Sequence, residues 1–159
     1  LARKFKKEQI VSEYFVKELH RRMLGDVWAW AGEFRKSEKN IGVKPYFIGV
    51  ALKTVLADCL FWMENGNYTE EEIAVLFKHR IVSIHYFANG NGRHSRLIAD
   101  IIISHIFGKP VFSWGRKNLV NKGNARTDYL TAIRAGDNGD IQPLVVFARG
   151  SADEHVRAS

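Results

Sequence analysis

Residues 73–107 read IAVLFKHRIVSIHYFANGNGRHSRLIADIIISHIF, and the fold turns on the twelve in the middle. From Ile73 to Ile84 apolar residues recur at helical spacing, and from Leu97 onward they do so again. Between these patterns His85–Arg96, HYFANGNGRHSR, puts a histidine at its head, then two Asn-Gly pairs and two arginines. A connecting turn needs only the glycines. The other residues are those of a chemical site.

Working outward, the helical period covers nearly the whole chain. Val11, Phe15, Leu19 and Met23 recur every four residues, with Gly25 as a stop. The aromatic DVWAWAGEFR that follows reads as a buried corner. Leu52, Val55, Leu56, Cys59, Leu60 and Met63 form a further stripe, ended by Asn65-Gly66. Thr69 with Glu72 three residues on predicts a capping box. The helix it starts carries Ile73, Leu76, Phe77, Ile81 and Ile84 on its inner face. Leu97, Ile98, Ile101, Ile102 and His105 predict a helix that is apolar nearly all round and central to the bundle. ARTDYLTAIRA and IQPLVVFAR predict two more, joined by the GDNGD turn. Only Ser37–Phe47, SEKNIGVKPYF, lacks helical periodicity, and it reads as a flap or short β-hairpin. The expected fold is all-α: one domain over residues 1–159, a helical bundle around a central apolar helix.

A chain of 159 residues is long enough to bury about two thirds of its extended surface. Hydrophobic residues at 46% argue against disorder. The single cysteine, Cys59, excludes an internal disulfide and fits a reducing cytoplasm. No apolar run approaches the roughly 20 residues of a membrane span, and no secretory signal opens the chain, so a cytoplasmic protein without membrane contact is expected. The opening LARKFKKEQ already has a helical pattern, which suggests a trimmed or missing N-terminal segment. A net charge of +7 favours an anionic partner without choosing among nucleic acid, nucleotide and an acidic protein face.

The loop narrows that choice. A helix N-terminus presents unpaired N–H groups and partial positive charge, so it attracts anions. Gly90, Asn91 and Gly92 clear side-chain bulk from that end and let the backbone curl round a phosphate. Arg93 and Arg96, three residues apart, share a helix face, and two guanidiniums suit a di- or triphosphate. His85 titrates in the range suited to taking a proton from a hydroxyl. Each piece has a bland reading as turn, structural histidine or solvated arginine. Together they describe phosphoryl or nucleotidyl transfer.

HYFANGNGR followed by HSR resembles the Fic family signature, H-x-F-x-[D/E]-G-N-G-R-x-x-R. LHRRMLGDVWAWAGEFR is similar to the segment before the Fic flap, and SEKNIGV to the flap itself. WGRKNL and NGNGRHSRL resemble the Fic subgroup called mobile mystery protein B. The resemblance implies a Fic-type fold and an enzyme that transfers AMP from ATP, with Mg²⁺, to a Ser, Thr or Tyr hydroxyl of a protein. It implies His85 as general base and Gly90, Asn91 and Gly92 around the phosphates, with the Asn91 side chain at the α-phosphate. Arg93 and Arg96 would hold the β- and γ-phosphates, and Phe87 would anchor the loop. Lys39, Asn40 and Ile41 of the flap would cover the nucleotide. With Gly42 and Val43 they would pair with the target as an added strand.

Asn89 stands where the signature has Asp or Glu, the residue that meets Mg²⁺. An amide oxygen brings no negative charge, and Mg²⁺ favours anionic oxygen. The Doc family accepts Asn there and transfers phosphate, but typically carries Lys where this chain has Gly92. Adenylyl transfer is therefore the leading expectation. A weakly catalytic nucleotide- or partner-binding module is its rival, beside phosphoryl or another nucleotidyl transfer. Nucleic acid ranks below these, supported by charge alone and by no recognition helix. No HExxH or i, i+4 histidine pair supports a metalloenzyme. Many Fic proteins are inhibited by a helix bearing [S/T]-x-x-x-E-[G/N]. SADEHVRAS has His155 at the Glu position, so inhibition would come from an N-terminal segment or a separate antitoxin.

Overall fold

Thr69 starts the helix that delivers the loop. Its hydroxyl accepts the Glu72 N–H at 3.2 Å while the Glu72 carboxylate accepts the Thr69 N–H at 3.0 Å. The predicted capping box thus settles two amides left unpaired at a helix start. The computed structural model describes residues 5–39, 41–115 and 122–149. Asn40, most of WGRKNL and the whole of SADEHVRAS lie outside them.

Seven α-helices occur among the described residues: α1 Lys7–Ile10, α2 Glu13–Leu24, α3 Ile48–Asn65, α4 Glu70–Ile84, α5 Asn91–Ile101, α6 Lys122–Asp137 and α7 Gln142–Arg149. The 3₁₀ turn Pro45–Phe47 leads into α3, and the π-helical turn Ile102–Ile106 continues α5. The chain divides into two compact units, Leu1–Lys109 and Pro110–Ser159.

In the first unit α5 packs against α4 and α2, and α3 packs against α4. Phe15 and Val16 from α2, Ile48 and Leu52 from α3, Phe77 and Ile81 from α4 and Ile98 from α5 are fully buried. Each such side chain contributes about 1.5–3 kcal/mol on leaving water. The α5 face toward this core is Asn91, His94, Ser95, Ile98 and Ala99, whereas Gly92, Arg93 and Arg96 are exposed. These two-sided first turns precede the apolar run that starts at Leu97, where Ile98, Ile102 and Ile103 are fully buried. The second unit pairs α6 with α7, burying Ala132, Leu144 and Ala148.

Two expectations change. The flap forms no β-ladder: no strand occurs among the described residues. Its backbone bonds to the end of α4 and to one buried arginine, which leaves no partner strand to pair with. The second change concerns Pro45–Asn65, 21 residues with mean hydropathy 1.5, which is long and apolar enough to cross a membrane by length and composition. In the fold this helix lays Ile48, Leu52, Val55, Leu56 and Cys59 into the core beside α4.

Candidate functional site

His85 ends α4 in the left-handed conformation, φ 55° and ψ 54°. A non-glycine residue held there costs of order 1–3 kcal/mol, and such strain concentrates at functional positions. The turn stops the helix and sends Tyr86 and Phe87 into full burial. The chain then reverses through Gly90, also left-handed at φ 81°, and Asn91 opens α5. A Cβ on Gly90 would stand 2.6 Å from Leu24 Cδ1, so the loop packs on α2 at a point open only to glycine.

Three buried side chains hold this loop. Asn91 bridges it: the Phe87 N–H donates to Asn91 Oδ1 at 3.0 Å, and Asn91 Nδ2 donates to the Phe87 carbonyl at 2.8 Å. The amide expected at a phosphate is spent on the loop's own backbone, so Asn91 is a positioning residue here. His20 of α2 receives the Gly32 N–H on Nδ1 at 2.9 Å. Its proton therefore sits on Nε2, which donates to the Asn89 carbonyl at 2.9 Å. The same ring stacks on Phe87 with centroids 3.6 Å apart. Burial pushes the His20 imidazole below the ordinary histidine range, against a smaller opposing pull from the Asn89 carbonyl. His94 is the third. Its Nε2 donates to the Val16 carbonyl at 2.8 Å, and Tyr86 donates its hydroxyl proton to Nδ1 at 2.9 Å. Burial brings its pKa down to about 3, and with both ring nitrogens bonded it is a neutral brace.

The loop borders an open cavity of about 440 Å³ lined by Ile41 of the flap, Val82, His85, Ala88, the stretch 89–93 and Arg96. Of the residues expected to act, it thus unites His85, Asn89, Gly90, Asn91, Gly92, Arg93, Arg96 and Ile41. Lys39, Gly42 and Val43 are not in its lining, and Asn40 lies outside the described residues. Burial, then the charges of Arg35 and Lys39, holds the His85 imidazole below its ordinary range. The neutral imidazole is thereby favoured. Arg93 and Arg96 are exposed, so their cationic heads can meet an anion entering from solvent.

The metal expected at Asn89 does not fit. Its side-chain oxygen already accepts the Gly90 N–H at 2.7 Å. No carboxylate lines the cavity, and no group of three His, Cys, Asp or Glu able to hold a metal occurs among the described residues.

The flap reaches His85 through Gly42, at φ 86°. A Cβ there would lie 2.6 Å from both His85 Cβ and the Ile84 carbonyl oxygen. Gly42→Ala adds a left-handed penalty of about 1–2 kcal/mol to that clash. Its melting midpoint is expected to fall by roughly 3–6 °C, with slower transfer. A midpoint within one degree of the parent in a thermal melt sinks this reading.

Sequence reasoning missed His20 and Arg35. His20 reads as one polar residue in a charged helix, and Arg35 as one cation among EFRKSEK. Their partners lie 69 and 50 residues away, and no local pattern reports them.

Comparison with known proteins places the chain in a family. The chain is 32% identical over 134 residues to protein adenylyltransferase Fic of Drosophila grimshawi, covering 82% of this chain and 26% of that protein. It is 26% identical over 147 residues to protein adenylyltransferase fic-1 of Caenorhabditis briggsae, covering 88% and 27%. The chain thus spans about a quarter of the length of these relatives. A Fic domain-containing signaling protein from Bacteroides thetaiotaomicron shares the fold with a TM-score of 0.72 at 23% identity, over 89% of this chain and 59% of that one. Fic-1 from C. elegans superposes with a TM-score of 0.68 at 25% identity, over 87% and 39%. Residues 10–103, which hold α2 to α5 and every residue lining the cavity, match the Fic/DOC family, and the chain belongs to it.

Proposed function

We propose that this domain transfers AMP from ATP to a hydroxyl side chain of a protein, with His85 as the base. One observation carries the reading: His85, held neutral, shares a single cavity with the amino end of α5 and with Arg93 and Arg96. Relatives named protein adenylyltransferases support it.

The step follows from that arrangement. The target hydroxyl oxygen attacks the α-phosphorus, and its proton passes to a ring nitrogen of His85. The bond from the α-phosphorus to the bridging oxygen breaks, and pyrophosphate leaves. Unpaired N–H groups at the start of α5 and the two guanidiniums oppose the charge that gathers on the leaving group. Magnesium carried in on ATP would supply charge neutralisation there, and the residues lining the cavity add no carboxylate to hold it. Ile41 from the flap, Val82 from α4 and Ala88 from the loop give the cavity apolar sides.

Asn89 favours a second reading, a domain that binds nucleotide without turning it over. Incubation of target lysate with ATP labelled at the α- or γ-phosphate separates the cases. Protein-bound α-label supports adenylyl transfer, protein-bound γ-label means phosphoryl transfer, and ATP binding with neither means a binding module.

Arg93→Ala or Arg96→Ala is expected to weaken ATP binding by at least about tenfold, because a charge-assisted hydrogen bond is worth roughly 1.5–3 kcal/mol. AMP, which lacks the distal phosphates, should bind within twofold of the parent. Equal losses for both nucleotides in titration calorimetry contradict the assignment.

A further inference from the structure

We propose that Arg35 is a positioning residue that joins the flap to His85, so that seating the flap and orienting the base are one structural event. This rests on the reading of His85 as the base. Arg35 is only 5% exposed, and its backbone N–H donates to the Tyr86 carbonyl at 2.9 Å. Its guanidinium spreads across both segments. Nε donates to the His85 carbonyl, Nη2 to the carbonyls of Val43 and Ile84, and Nη1 to the Ser37 carbonyl at 2.9 Å.

Two of those oxygens belong to the last residues of α4, where helix carbonyls lack amide partners. The other two, Ser37 and Val43, bracket the part of the flap that contains Lys39 and Ile41. One side chain therefore closes the flap and caps the helix that presents the base. The Val43 N–H returns a bond to the Ile84 carbonyl at 3.2 Å, and Gly42 fits against His85 where no Cβ could.

The choice of partners decides more than rigidity. Among the described residues Arg35 has no carboxylate partner, only carbonyl oxygens. A salt bridge would brace the same segments and cancel the charge, whereas carbonyls brace them and leave a full positive charge beside the imidazole. A lysine at this position keeps the charge but has three donors on one atom, which cannot span both segments. The other charges round His85 are Lys39 on the flap and Arg93 and Arg96 across the cavity. The last turn of α4 adds no basic residue.

The test uses the full chain and two variants, Arg35→Lys and Arg35→Gln. Histidine NMR signals are followed through a pH titration, and hydrogen exchange is measured at the Val43 amide. Arg35→Gln is expected to raise the pH at which His85 titrates, and Arg35→Lys to leave it low. Both variants should exchange the Val43 amide at least about tenfold faster, the loss of one charge-assisted hydrogen bond, with amides inside α2 unchanged. A His85 titration unmoved in Arg35→Gln overturns the proposal, and so does parental Val43 protection in Arg35→Lys. If Arg35→Gln does not fold, the Lys variant decides through exchange alone. Neither readout needs a substrate. A parent that transfers nothing while both shifts appear refutes the proposed function and leaves the role of Arg35 standing; transfer without the shifts does the reverse.

Discussion

Replacing His85 by alanine is expected to lower transfer by about 10²- to 10⁴-fold, the range a positioned general base supplies. ATP affinity should stay within about twofold, because the phosphate contacts come from α5 and its arginines. Stability should stay nearly unchanged, since alanine keeps the Cβ that sets the cost of the left-handed turn. The pH profile offers a second check. The unprotonated imidazole is the active form, so activity is complete above its pKa and lost as pH falls through it. Burial and the charges of Arg35 and Lys39 place that loss below the ordinary histidine range. Steady-state rates and a thermal melt of the variant suffice. Transfer within tenfold of the parent takes the role of base away from His85.

Mild acid is expected to destabilise this domain through a different histidine. His94 is fully buried, with both ring nitrogens bonded in the neutral form. Its folded pKa of about 3 lies below the unfolded value of 6.5, so between those limits the unfolded chain holds a proton that the folded chain does not. Stability is then complete above pH 6.5 and falls as pH falls, through the window down to about 3. Each pH unit inside the window costs about 1.4 kcal/mol, so about 2 kcal/mol disappears between pH 6.5 and 5. That is a large share of a typical domain stability of about 5–15 kcal/mol. The buried His20, shifted the same way, adds to the slope. Urea unfolding at pH 7.5 and at pH 5 measures it. His94→Gln should be less stable at pH 7.5 and show a shallower dependence on pH. A parent with equal stability at both values, or a variant keeping the parental slope, refutes the account.

The helices were legible because their cause is local. Apolar residues three and four apart mark α2 to α5, and Thr69 with Glu72 marks the start of α4 within two hydrogen bonds. The loop was legible for the same reason: its glycines and arginines act through backbone and helix end within one short stretch. The flap was not. Ser37–Phe47 lacks helical period, and a hairpin was the natural alternative. Its partners are instead the end of α4, more than forty residues on in the chain, and the nearby Arg35 guanidinium, which is itself held by that distant helix end.

From the sequence alone came an all-helical chain with a histidine, an anion-binding helix start and paired arginines in one stretch. Local backbone preference and side-chain chemistry suffice for that. What each polar group does was decided by the tertiary structure. It turned Asn91 inward onto Phe87, made His20 and His94 neutral braces, and buried Arg35 among carbonyls beside the base. Desolvation and hydrogen-bond partners set those roles, and both are properties of neighbours that only folding brings near.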